Sequence, residues 1–179
     1  MQLPSFQVGY LVNPVTPIIK RLTDFCQRIK DKVMNKVSEK WQQRFMEMSF
    51  MVAKWSKDPS TQVGAVIADG NRIVSQGFNG YPHGVADQQD PRELKYQKTL
   101  HGELNAILHA GRSLHGCTLF STHMPCTSCC ATIIQVGISV VVVPEQTEDY
   151  LSRWGDSVKV SQSMFDEAGV EVVQLKSNG

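Results

Sequence analysis

The chain has 179 residues, 41% of them apolar and 20% charged, with a net charge of +1. These values fit one globular domain with a full core, or one domain plus an appendage, and they argue against a strongly basic nucleic-acid clamp. No apolar run approaches the roughly 18–20 residues of a membrane helix; "VGISVVVVP" is about half of that, so no membrane partner is expected.

The opening "MQLPSFQVGYLVNP" lacks the basic start and apolar stretch of an export signal, so a reducing cytoplasmic setting is expected, a host's cytoplasm if the source is viral. Five cysteines is an odd number, which excludes a complete disulfide framework. Charge is unevenly spread. Met1–Lys57 holds ten Lys/Arg against four Asp/Glu, and the rest holds eight against thirteen. A solvated amphipathic helix explains the basic segment better than a binding face for anions.

From Ile18 to Trp55 apolar residues recur at steps of three and four (Ile18, Leu22, Phe25, Ile29, Val33, Val37, Trp41, Phe45, Met48, Val52), which predicts an amphipathic helix in two segments. It is broken at "SKDPS" by Pro59. Two β-branched runs then flank Asp69-Gly70, a hairpin signal. "FNGYPHGVADQQDPRELKYQ" reads as a long polar loop, and such loops are functional or disordered. "HGELNAILHAG" is a helix stopping at Gly111, "GCTLFSTH" a strand, "CTSCCATIIQVG" a helix and "ISVVVVP" a buried strand. A helix around Gln162–Ala168 and the strand "VEVVQL" complete the chain. Strands alternating with helices predict a mostly parallel sheet covered on both faces, with the opening hairpin antiparallel.

The residues that carry chemistry open two of these helices. His101 and Glu103 begin one, and Pro125, Cys126 and Cys129 begin the other. Cys126-x-x-Cys129 alone could be a redox pair, half of a zinc knuckle, or chance. With His101 it gives three zinc ligands and leaves the fourth tetrahedral position for water. Helix N-termini favour the thiolates, and a carboxylate two residues from a ligand suits a proton shuttle. The remaining histidines, His83, His109, His115 and His123, lack such company, and Cys26, Cys117 and Cys130 read as packing thiols.

"HGE" followed by "PCTSC" resembles the H-x-E…P-C-x-x-C signature of the zinc nucleoside and nucleotide deaminases. "SKDPSTQVGAVI", "RIVSQGFNGYPHG", "KYQKTLHGELNAI" and "IIQVGISVVVV" are similar to the deoxycytidylate (dCMP) deaminases in particular, from about Trp41 to Leu175. The resemblance implies a three-layer αβα cytidine-deaminase-like fold: a central five-stranded mixed sheet with helices on both faces, in a domain over 41–179. Residues 1–40 have no counterpart in it and are expected to form a largely helical extension.

It also implies a reaction, dCMP to dUMP with release of ammonia, and the parts that perform it. Zn2+ is held by His101, Cys126 and Cys129, and Glu103 moves protons from the activated water to N3 and the departing amine. The Gly102 N–H meets the base carbonyl, Asn79 bonds the sugar, and Thr61 and Gln62 lie near the sugar-phosphate. Tyr96 walls the site, whereas Lys98 departs from the pattern, standing where an aromatic is common, and is a candidate phosphate contact if its ammonium reaches the site. Gly102 stands where the family typically has alanine, which could loosen the pocket beside the base. Activation by dCTP, inhibition by dTTP and a homo-oligomer, in many members a hexamer, are further expectations of the resemblance. The alternatives are a deaminase of dCTP, 5-substituted dCMP, guanine or tRNA adenosine, or a nucleotide-binding protein with a structural zinc.

Overall fold

The computed structural model describes residues 37–86 and 90–176. The helical stripe read before residue 37, and with it nearly all of the 1–40 extension, lies outside the described residues. Among the described ones, helix α1 (Glu39–Ala53) buries Phe45, Met46, Ser49, Val52 and Ala53, the i, i+4, i+7 face of its sequence. Strands β1 (Gly64–Asp69) and β2 (Arg72–Phe78) form the expected hairpin, turning at Gly70 with φ 58.

The segment read as one polar loop is not wholly irregular. It contains helix α2 (Arg92–Lys98), seven residues begun at Pro91. Its buried face is empty, so no apolar periodicity announced it. Helix α3 (Gly102–His109), strand β3 (Thr118–Ser121), helix α4 (Thr127–Gln135) and strand β4 (Val140–Pro144) follow as read.

The last helix, α5 (Glu148–Ala168), is three times the length predicted for it. Its start is marked by chemistry rather than by an apolar stripe. Thr147 caps it by accepting from the Tyr150 N–H, Glu148 and Asp149 face its positive end, and Gly169 at φ 71 stops it. Strand β5 (Glu171–Leu175) closes the chain.

The strand order is β2-β1-β3-β4-β5. β3, β4 and β5 are parallel, whereas β1 runs antiparallel to both β2 and β3. The sheet is therefore evenly mixed, because β3 enters against β1 rather than along it. Alternate residues face opposite layers. Ala65, Ile67, Leu119, Val141 and Val143 pack with Ala106 of α3, Cys130 and Ile133 of α4 and Phe165 of α5. Val66, Ala68, Phe120, Val140 and Val142 pack with Phe45, Met46 and Val52 of α1. This is the three-layer arrangement with helices on both faces.

Candidate active site

Helices α3 and α4 both start beside the C-terminal end of β3, and each carries a cysteine or histidine at its N-cap. His101 (φ -71, ψ 152) precedes α3, and Cys126 (φ -67, ψ 167) precedes α4. Neither side chain caps its own helix. Both are left to face one another, next to helix ends that carry partial positive charge.

His101 Nδ1 lies 3.4 Å from Cys126 Sγ and 3.4 Å from Cys129 Sγ. The three donor atoms lie within 4.8 Å of one another, in the only such group found among the described residues. A tetrahedral zinc with Zn–S of about 2.3 Å and Zn–N of about 2.0–2.1 Å would set S···N near 3.6 Å. The donor set and its spacing fit zinc, with three protein side chains to hold it.

Glu103 completes the cluster. It is 3% exposed, its Oε1 accepts from the Ser121 hydroxyl at 3.4 Å, and its Oε2 lies 3.8 Å from Cys129 Sγ. Burial raises its carboxyl above the ordinary range, and the Cys126 charge adds to the rise. Its own N–H, His101 and Ser121 pull the other way. Cys126 is brought down to about 4, first by the hydrogen bond from Cys129 and then by His101, against its burial. Cys129 is pushed up by that same bond, by burial and by Glu103. His101 is raised, chiefly by its contact with Cys126. The metal-free pair therefore holds one proton between two sulfurs, and a divalent ion would displace it.

The other sequence candidates are placed differently. Asn79, 5% exposed, ties the loop leading into β1: its Oδ1 accepts from the Val63 N–H at 2.7 Å and its Nδ2 donates to the Thr61 carbonyl at 2.9 Å. The next residue, Gly80, exchanges two backbone hydrogen bonds with Leu100, directly before His101. Gln62 donates to the Ser56 carbonyl, and Thr61 donates its N–H to Asp58. A methyl group on Gly102 would meet the Val63 carbonyl at 3.0 Å and the Gly77 carbonyl at 3.4 Å. The missing methyl thus faces the backbone of Val63 and Gly77.

Tyr96 is under Arg92, whose Nε donates to its hydroxyl at 3.2 Å, and Lys98 pairs with Asp90 at 2.8 Å. Neither contact involves the ligand cluster. His123 hydrogen-bonds Thr122 and packs in a tilted arrangement against the Tyr150 ring.

Sequence reasoning missed four residues that matter here. Ser121 ends β3 at the carboxyl edge of a sheet, the place where open α/β sheets hold ligands, so its position was a usable signal. Asp58 accepts from Ser60 and Thr61 in an Asx turn that "DPST" encodes, and Lys95 pairs with it at 2.9 Å. Burial pushes the Tyr150 phenol up to about 12, and the charges of Glu103 and Cys126 add to the rise. No spacing in the sequence pointed to it.

Comparison with known proteins agrees with this geometry. The family model of the cytidine and deoxycytidylate deaminase zinc-binding region matches residues 39–145. A protein of Aliivibrio fischeri described as an uncharacterized deaminase in the luxG 3′ region is 64% identical over 138 residues, 76% of this chain and 94% of that one. A probable deoxycytidylate deaminase of Drosophila melanogaster is 42% identical, covering 73% of this chain and 70% of its own. Among solved structures, the dCMP deaminase of cyanophage S-TIM5 in complex with dCMP and dUMP superimposes with a TM-score of 0.65 at 26% identity, over 77% of this chain and 98% of that one. The chain belongs to the cytidine and deoxycytidylate deaminase family, zinc-dependent deaminases that hydrolyse C–N bonds.

Proposed function

We propose that this chain hydrolyses the exocyclic amine of dCMP, giving dUMP and ammonia. The observation that carries the reading is Glu103: a buried carboxyl with a raised pKa, beside three side chains whose spacing fits zinc. A buried carboxyl held above its ordinary range is suited to take up and return a proton, whereas a structural zinc has no use for it. Relatives named as deoxycytidylate deaminases support the choice of substrate.

His101, Cys126 and Cys129 would hold zinc, which would supply an acidified water. Glu103 accepts the proton so released and returns protons to N3 and to the departing amine. The Ser121 hydroxyl, 3.4 Å from Oε1, holds the carboxyl in place. Gly102, first residue of α3, has an N–H without an intrahelical partner, and it meets the base carbonyl. Asn79 keeps one Nδ2 hydrogen beyond the bond to Thr61 for a sugar hydroxyl, and the Thr61–Gln62 loop that it ties borders the sugar-phosphate. Tyr96 keeps its own phenol proton beyond the bond it accepts from Arg92 and walls the site, and Lys98 keeps ammonium hydrogens beyond its pair with Asp90 for the phosphate.

The test is ammonia release from cytidine, dCMP, dCTP, 5-methyl-dCMP, guanine and an adenosine-bearing tRNA, side by side. Preference for dCMP supports the reading. Turnover of another member without dCMP would replace the substrate, and no turnover by zinc-loaded protein would favour a binding protein. The same assay carries the regulatory part of the proposal, a cytoplasmic homo-oligomer that dCTP activates and dTTP inhibits. A hyperbolic dCMP curve indifferent to both triphosphates removes it.

A further inference from the structure

The peptide group of Met124, two residues before Cys126, has both polar atoms taken by side chains from one distant segment. Its N–H donates to Gln146 Oε1 at 3.3 Å, and its carbonyl accepts from the Tyr150 hydroxyl at 3.0 Å. Neither group can be turned around. Gln146 Nε2 donates to the Pro144 carbonyl, which leaves Oε1 for the N–H, and a carbonyl can only accept from the phenol.

The connection that carries Cys126 has little else to hold it. Among the described residues, no backbone–backbone hydrogen bond involves residues 123–125, and Pro125 has no N–H to give. The next backbone tie is Cys130 N–H to the Cys126 carbonyl, already inside α4. The anchors, by contrast, lie at the start of α5. Gln146 and Tyr150 flank Thr147, the N-cap of α5, whose Oγ1 accepts from the Tyr150 N–H at 3.2 Å. The Tyr150 ring packs against the core shared by α3, α4 and α5, and His123 covers its other side with ring centroids 5.2 Å apart. Met124 itself is 4% exposed, so its peptide is held where water cannot readily replace the two side chains.

We propose that Gln146 and Tyr150 are positioning residues that clamp the Met124 peptide and thereby fix Cys126 Sγ as a zinc ligand. The proposal rests on the family's zinc site and not on dCMP as substrate. Partners that orient metal ligands from behind commonly change metal affinity or activity by about 10–100-fold when removed.

The test is zinc release from the loaded protein to an excess of chromophoric chelator, without substrate, in Tyr150→Phe, Gln146→Leu and the double variant. Tyr150→Phe keeps the ring and its packing and removes only the donor. Each single variant is expected to release zinc roughly ten-fold faster, and the double variant faster still, with the melting temperature of the metal-free protein near the parent's. Release within two-fold of the parent in both single variants overturns the clamp. So does a lowered metal-free melting temperature with unchanged release, which assigns the side chains to folding alone. Loss of the dCMP reading would not register in this measurement.

Discussion

Helix α3 depends on Glu103 and Gly77, one carrying its chemistry and the other letting it lie close to the sheet. Glu103→Gln keeps the shape and the contact with Ser121 and removes the proton. Turnover should fall by about 10²–10⁴ with zinc content per chain unchanged. Turnover within ten-fold of the parent would show that another group shuttles the proton. Gly77 is a matter of space. A methyl group there would lie 2.3 Å from the Ala106 nitrogen and 2.5 Å from the Gly102 carbonyl oxygen, both backbone atoms of α3. Helix and strand must separate, carrying His101 and Glu103 with them, so Gly77→Ala should cost about 3 kcal/mol and weaken zinc binding. Gly102→Ala meets its nearest neighbour at 3.0 Å and needs only tenths of an ångström, so it should cost less than about 1 kcal/mol. Denaturant unfolding of the two variants checks the order, and the reverse order would refute this account of how α3 is seated.

At the scale of elements, periodicity located what it is able to locate. β1 and β4 are buried on both faces and appear as unbroken apolar runs, and α1 shows its stripe. Helix α2 buries nothing and α5 fully buries only Ser161 and Phe165, so neither offered a pattern of apolar repeats. What holds α2 is polar and lies 37 residues away in sequence, the pair of Lys95 with Asp58. Asp58 is opposed by its burial, but the bonds from Lys95, Ser60 and Thr61 outweigh it and bring it from 3.8 to about 2. A carboxyl lowered on folding stabilises the folded state fully above its unfolded value, and the contribution fades as pH falls toward the folded one. Asp58→Asn should therefore cost about 1 kcal/mol at neutral pH, after allowing for solvent screening. The gap to the parent should stay constant above about pH 5 and narrow below about pH 4. A gap that keeps its size down to pH 3 would mean that the charge is not what ties α2 to the 58–61 loop.

Over the whole molecule, the ligand triad was legible because its residue types and short spacings are rare together, whereas its support was not. Ser121, Gln146 and Tyr150 come from β3, from the β4–α5 connection and from α5, and their relation to Cys126 exists only once the sheet order β1-β3-β4 brings those ends together. The zinc site is thus a junction: His101 opens α3, the sulfurs come from the start of α4, and Gln146 and Tyr150 at the start of α5 hold the turn between β3 and α4. Removing the ion should loosen the fold and not only stop turnover. A ligand at 1,000 times its dissociation constant adds about 4.1 kcal/mol, and each kcal/mol is worth about 2–4 °C in a chain of this size, so chelation should lower the melting temperature by roughly 8–16 °C. The shift should also depend on pH in one direction. Cys126 is already ionised near neutrality, but Cys129 holds its proton and His101 is raised, so zinc must expel protons to bind and is held less tightly as pH falls. Melting curves with and without chelator at pH 8 and pH 6 check both statements. A gap that widens at pH 6, or that is below about 2 °C at pH 8, would show that the three elements are held together without the ion.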